Sequence, residues 1–198
     1  MDKYDTGNDH YCYPNTTVLK NKLGITDEKT FEEAEREITK ISAYNIKNAK
    51  PPYHLQYLQH IHATLFAELY DWAGQIRDVN ISKAGTLFCV APRIVPEVGK
   101  LFKKLEDENY LQNLSYTDFV MKLAEYYAEF NVIHPFREGN GRVQRLFFAH
   151  LAAFNGYDLD WESISPDDWI NANIESYLGG YQLLADIFEK VLKISYLS

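Results

Sequence analysis

The sequence predicts an all-α fold carrying one short β-hairpin, on three observations. Most of the chain places apolar residues at steps of three and four, the spacing of a buried helix face. One stretch, residues 79–90, breaks that rhythm with β-branched and aromatic residues around a small turn. No repeat, low-complexity tract or linker divides the 198 residues, so one domain over 1–198 is expected, its core at about 52–160.

The elements follow in order. Residues 28–46 read as a helix with Phe31, Ile38 and Ile41 inward and Glu32, Glu33, Glu35 and Glu37 on a solvated face. From 52 to 72, Leu55, Leu58, His62, Leu65, Leu69 and Trp72 form the strongest stripe, and Gly74 is a stop signal. In the segment VNISKAGTLFCV, a Lys83-Ala84-Gly85 turn between strand-forming residues predicts the hairpin. A helix is expected from Pro96 to about Tyr110, with Val98, Leu101, Phe102 and Leu105 inward. Ser115 and Asp118 mark the start of another, which turns Phe119, Leu123, Tyr127 and Phe130 to the core. A helix follows at 140 or 141, with Val143, Leu146, Phe147, His150, Leu151 and Phe154 in step. Ser165-Pro166 opens the next, and a last helix carries Tyr181, Leu184, Phe188 and Val191.

Composition excludes several classes. A net charge of -8 is unlike the basic face of a nucleic-acid binder. No apolar run approaches the roughly 20 residues of a membrane span, and the first residues carry no basic-then-apolar leader. Two cysteines, Cys12 and Cys89, are too few for a disulfide framework and read as free thiols in a reducing, cytoplasmic setting.

The chemistry concentrates in HPFREGNGRVQR, residues 134–145, where a histidine, a carboxylate, two glycines and three arginines occupy twelve positions. The loop 134–142 runs into a helix, whose first turn offers unpaired N–H groups and partial positive charge to an anion. Gly139 and Gly141 let a phosphate approach the backbone. Arg142 and Arg145 share a helix face and can grip phosphate oxygens. Glu138 would repel phosphate unless a cation lies between them, and Mg²⁺ is the cation that one carboxylate plus phosphate oxygens hold. A free histidine side chain changes charge near neutral pH, and His134 can take a proton from an attacking hydroxyl. A zinc site would need three protein ligands; beside His134 and Glu138, His60 and His62 are the additional candidates, but His62 sits on an apolar stripe and reads as a satisfied core histidine.

HPFREGNGRVQR resembles the signature of the Fic-domain family, H-x-F-x-[DE]-G-N-G-R-x-x-R, at every specified position. YCYPNTTVLKNKLGI and LFAELYDWAGQIRDVNISK also resemble its small bacterial members. The resemblance implies a helical Fic fold whose hairpin is a flap, and a protein adenylyltransferase that moves AMP from Mg·ATP to a Ser, Thr or Tyr hydroxyl of a target protein. It makes His134 the general base and Glu138 the Mg²⁺ holder. Gly139, Asn140, Gly141, Arg142 and Arg145 become the nucleotide site, and Lys83, Thr86, Leu87 and Phe88 the target-docking residues of the flap. Donors carrying UMP, phosphocholine or phosphate, or a silent nucleotide-binding interaction module, are the alternatives.

Many relatives are inhibited by a helix bearing [ST]-x-x-x-E-[GN], whose glutamate pairs with the arginine here at 145. The nearest match, Thr64 to Glu68, is followed by Leu69. The resemblance therefore implies a toxin whose inhibitory glutamate comes from a separate small antitoxin protein, with a type II topoisomerase as an expected target. No membrane or direct nucleic-acid partner is expected.

Overall fold

The computed structural model describes residues 9–83 and 85–195. Its elements run α1 (Glu28–Ala43), α2 (Leu55–Phe66), β1 (Ser82–Lys83), β2 (Thr86–Leu87), α3 (Ile94–Asp107), α4 (Tyr116–Ile133), α5 (Asn140–Phe154), β3 (Tyr157–Leu159), α6 (Pro166–Tyr177), α7 (Gln182–Val191) and β4 (Leu192–Ile194). The predicted class holds: helices dominate. None of the described helices is long and apolar enough to cross a membrane.

The chain divides into two compact units. The first gathers the described residues up to Lys47, His54–Pro96 and His134–Val143. There α1 starts at Asp27, whose carboxylate accepts from the Thr30 N–H at 2.9 Å. Its buried stripe is Phe31, Glu35 and Thr39, not the expected Phe31, Ile38 and Ile41. Ile41 is 67% exposed, whereas Glu35, assigned above to the solvated face, is 6% exposed. The reversal has a chemical cause: Glu35 and Thr39 have polar partners inside, described below. Helix α2 buries Leu58, Ile61, His62, Leu65 and Phe66, then stops at Phe66 rather than at residue 72. The Leu69 and Tyr70 N–H groups both turn back to the Phe66 carbonyl, which ends the helix in a tight turn. Gly74 closes that turn at φ 81°, and a Cβ there would crowd Ala63 at 3.0 Å. Strands β1 and β2 form the expected antiparallel hairpin, pairing Ser82 with Leu87 and Lys83 with Thr86. Ala84, in the predicted turn, lies outside the described residues.

The second unit comprises Asn48–Tyr53, Glu97–Ile133 and the described residues from Gln144 onward. Ser115 caps α4 by accepting from the Asp118 N–H at 3.2 Å and donating to the Asp118 carboxylate at 2.6 Å. Phe119, Leu123, Tyr127 and Phe130 are buried, as expected. Tyr127 meets Phe148, Trp169 and Phe188 at ring separations of 5.0, 5.1 and 5.6 Å, which accounts for many of the aromatic residues. One feature contradicts the expectation of a single strand pair. β3 and β4 form a second antiparallel ladder, with Tyr157 opposite Ile194 and Leu159 opposite Leu192. Three residues per strand are too few for alternation to register.

Candidate active site

The first unit holds the loop 134–140 and the first turn of α5, and almost every group around them is used to fix that loop. His134 sits at φ 45°, a left-handed conformation that a residue preceding proline adopts only when its surroundings impose it. Arg77 supplies the constraint. It is 2% exposed, and its Nε donates to the His134 carbonyl at 2.8 Å. Its Nη1 donates to the Val79 carbonyl at 2.6 Å and its Nη2 to that of Cys89 at 2.5 Å. One guanidinium thus ties both sides of the hairpin stem to the backbone of the proposed base. The Arg77 N–H also donates to the Pro135 carbonyl at 3.0 Å. Phe88, at the end of the hairpin, stacks on the His134 ring with centroids 3.9 Å apart and planes at 16°.

The remainder of the loop is held from below. Asn140 accepts from the Phe136 N–H and donates to the Phe136 carbonyl, both at 2.8 Å. Its side chain thus closes the loop, and its backbone N–H has no partner among the described residues. Arg137 donates to Asp9 at 2.6 and 2.8 Å, in a pair whose side chains are 5% and 6% exposed. Burial would lift the Asp9 carboxyl, but the Arg137 guanidinium overrides it and holds the carboxyl below its usual value. His62 accepts from the Gly74 N–H at its Nδ1, at 2.8 Å, so its proton is on Nε2, which donates to the Glu138 carbonyl at 3.1 Å. Burial depresses its pKa to about 3. His62 is therefore a neutral core histidine stacked on Phe136 at 4.1 Å, as the sequence suggested.

Gly139 has a role the sequence does not show. Its φ is 79°, and a Cβ would lie 2.3 Å from two ring carbons of Phe66. The Gly139 N–H donates to the Glu138 carboxylate at 2.8 Å. Gly139 also offers its carbonyl to the N–H groups of Arg142 and Val143. Among the described residues, that leaves the N–H groups of Asn140 and Gly141 as the unclaimed donors of the first turn of α5.

Glu138 and Arg142 meet a third charge that sequence reasoning missed. Arg142 donates from Nη2 to Glu35 at 2.6 Å and from Nη1 to Thr39 at 3.1 Å. Its Nη2 lies 3.6 Å from the Glu138 carboxylate, and its guanidinium carbon lies 4.7 Å from the Phe66 ring centre. The other oxygen of Glu35 accepts a short hydrogen bond from the Tyr70 hydroxyl. Burial, then the neighbouring Glu35 charge, raise the Glu138 pKa against the pull of Arg142. Burial, with Glu35 beside it, also drives the Tyr70 hydroxyl far up. The missed signal is the i, i+4, i+8 alignment of Phe31, Glu35 and Thr39: polar residues in register with a buried phenylalanine. Arg145 lies three residues beyond Arg142 on α5 and belongs to the second unit. Of the flap residues, Leu87 is 53% exposed, Lys83 and Thr86 are half-buried, and Phe88 is buried against His134.

Among the described residues, no three His, Cys, Asp or Glu side chains converge to hold a metal. Glu138 has one carboxylate oxygen engaged by the Gly139 N–H. Such a donor set fits Mg²⁺ shared with phosphate oxygens and does not fit a cation held by protein alone.

Comparison with known proteins places the chain in a family. A model of the Fic/DOC family matches residues 52–152. The chain is 40% identical over 191 residues to an Escherichia coli K12 protein named "Probable protein adenylyltransferase Fic", covering 96% of each. Among solved structures, it resembles the BepC effector of Bartonella tribocorum with bound AMPPNP. The TM-score is 0.85, with 31% identity over 93% of this chain and 97% of that one. It also resembles the N-terminal Fic domain of a Bartonella quintana effector with bound ADP. There the TM-score is 0.86, with 32% identity over 94% and 95% of the two chains. The chain belongs to the Fic/DOC family.

Proposed function

We propose that this chain is a protein adenylyltransferase that transfers AMP from ATP to a Ser, Thr or Tyr hydroxyl of a target protein. The observation that carries the reading is the loop itself. Arg77 and Phe88 fix a histidine at one end, and a helix N-terminus with unclaimed N–H donors stands at the other. The names of the relatives and the nucleotides in the related structures support it.

In this reading the target hydroxyl oxygen bonds to the α-phosphorus while its proton passes to the His134 imidazole. The bond from the α-phosphorus to the oxygen bridging the β-phosphate breaks, and pyrophosphate leaves. The N–H groups of Asn140 and Gly141 receive phosphate oxygens at the α5 N-terminus. Arg145 meets the terminal phosphates, and Arg142 supplies positive charge beside them from its fixed position. Glu138 is the residue that would hold Mg²⁺ together with the nucleotide, and the cation would supply positive charge against the polyphosphate. Lys83, Thr86 and Leu87 present backbone and side chains to the target segment, while Phe88 seats the His134 ring.

A separate small protein supplying a glutamate to Arg145 is the regulator we propose, on the resemblance of residues 134–145 to the family motif. On that reading the chain is the toxin of a cytoplasmic toxin–antitoxin pair, with a type II topoisomerase as candidate target.

The test compares ATP labelled at the α-phosphate with ATP labelled at the γ-phosphate, each incubated with the protein, Mg²⁺ and cell lysate. AMP transfer labels a protein band from the α-label alone. A band from the γ-label would make the chain a kinase and overturn the reading.

A further inference from the structure

The buried carboxylate of Glu35 lies outside the motif, on α1, yet it takes the shortest bond that Arg142 makes. We propose that Glu35 is a positioning residue that holds Arg142 away from Glu138, and so keeps the Glu138 carboxylate available to a divalent cation. The inference rests on the reading of Glu138 as the Mg²⁺ holder.

Three charges are packed into one small volume. Arg142 stands between two carboxylates, 2.6 Å from Glu35 and 3.6 Å from Glu138. The nearer one is anchored from its far side by the Tyr70 hydroxyl, and Thr39 takes the second nitrogen of the guanidinium at 3.1 Å. Thr39 is itself fixed, donating to the Glu35 carbonyl at 2.8 Å. The Phe66 ring lies along the guanidinium. Glu35, Thr39 and Tyr70 are all buried. A guanidinium beside two carboxylates pairs with whichever is better placed. With Glu35 neutralised, Glu138 is the carboxylate still paired with Arg142 among the described residues. Arg142 already pairs with Glu138 at 3.6 Å; closing that separation to hydrogen-bond distance would make Glu138 its principal partner, and a carboxylate so bonded is a poor Mg²⁺ ligand. Glu35 thus acts on the cation through Arg142, without touching cation or nucleotide.

The test is calorimetric and needs no turnover. AMPPNP is titrated into the protein with and without Mg²⁺, and the ratio of the two dissociation constants isolates what the cation adds. In Glu35→Gln the ratio should fall at least tenfold towards one. In Glu35→Gln/Arg142→Gln it should return to within about threefold of wild type, because the competing guanidinium is gone. A merely structural Glu35 would weaken both titrations together and leave the ratio unchanged. A folded Glu35→Gln with the wild-type ratio overturns the proposal, as does a double variant no better than the single. Should Glu35→Gln fail to fold, Tyr70→Phe decides: it removes the anchor of the Glu35 carboxylate, so the proposal expects a lower ratio than wild type, and an unchanged one overturns it. A wild-type ratio of one, or no AMPPNP binding by the wild type, would instead sink the cation or nucleotide reading on which the inference stands.

Discussion

The His134 carbonyl accepts a hydrogen bond from Nε of Arg77 at 2.8 Å, and the same guanidinium holds the carbonyls of Val79 and Cys89 at the hairpin stem. The proposed base and the flap are therefore fixed by one side chain. Arg77→Lys keeps the charge but offers a single ammonium that cannot span three carbonyls. Transfer is expected to drop about tenfold to a hundredfold in kcat, the scale of a misplaced reacting group, with AMPPNP affinity unchanged by calorimetry. Equal loss of binding and turnover would show that Arg77 merely supports the fold.

Gly139→Ala should be among the most damaging single-methyl additions. The new Cβ would lie 2.3 Å from the Phe66 ring at a φ of 79°. Overpacking and a left-handed alanine together cost roughly 2–5 kcal/mol, measurable by urea denaturation. The same change in a Phe66→Ala background should cost less, since the clash is then relieved.

Asp9 and Arg137 form a buried pair that links the N-terminal segment to the loop. Asp9→Ala leaves Arg137 buried without its carboxylate and should cost about 3–5 kcal/mol. Replacing both by leucine should be milder, because the buried guanidinium is removed together with the carboxylate it meets. A double variant as unstable as Asp9→Ala would contradict this account of the pair.

His62 gives the protein a pH dependence of known sign. Its folded pKa of about 3 lies below the ordinary value of 6.5, so the native state refuses a proton that the unfolded chain accepts. The stability it confers is fully present above pH 6.5 and is lost as pH falls from there towards 3, by about 1.4 kcal/mol per unit. His62→Gln should flatten that part of the stability–pH profile by this slope. Superimposable slopes would mean that His62 is already protonated, or paired differently, in the fold.

The motif was legible because its residues are contiguous: His134, Glu138 and the first turn of α5 occur where HPFREGNGR puts them. Helix existence was legible from period 3.6, as at α4, where Phe119, Leu123, Tyr127 and Phe130 are all buried. What supports the motif was not. Glu35 looks like one member of a solvated acidic run, and only the buried partners Tyr70 and Arg142 show it facing inward. Arg77, 57 residues before His134, has no local signal at all. Asn140 and Gly139 look like phosphate contacts, yet much of their chemistry is spent on Phe136, Glu138 and Phe66. The ladder of β3 with β4 pairs residues far apart in sequence over three positions, below the length at which alternation is readable.

The central claim is that His134 takes the proton of an attacking hydroxyl. Its most direct test measures two quantities on wild type and His134→Ala: label transferred from α-labelled ATP to protein, and AMPPNP affinity by calorimetry. The account predicts that transfer falls by roughly 10²–10⁴-fold while affinity stays within about threefold. Transfer that survives in His134→Ala, with the protein folded and nucleotide bound, would contradict it.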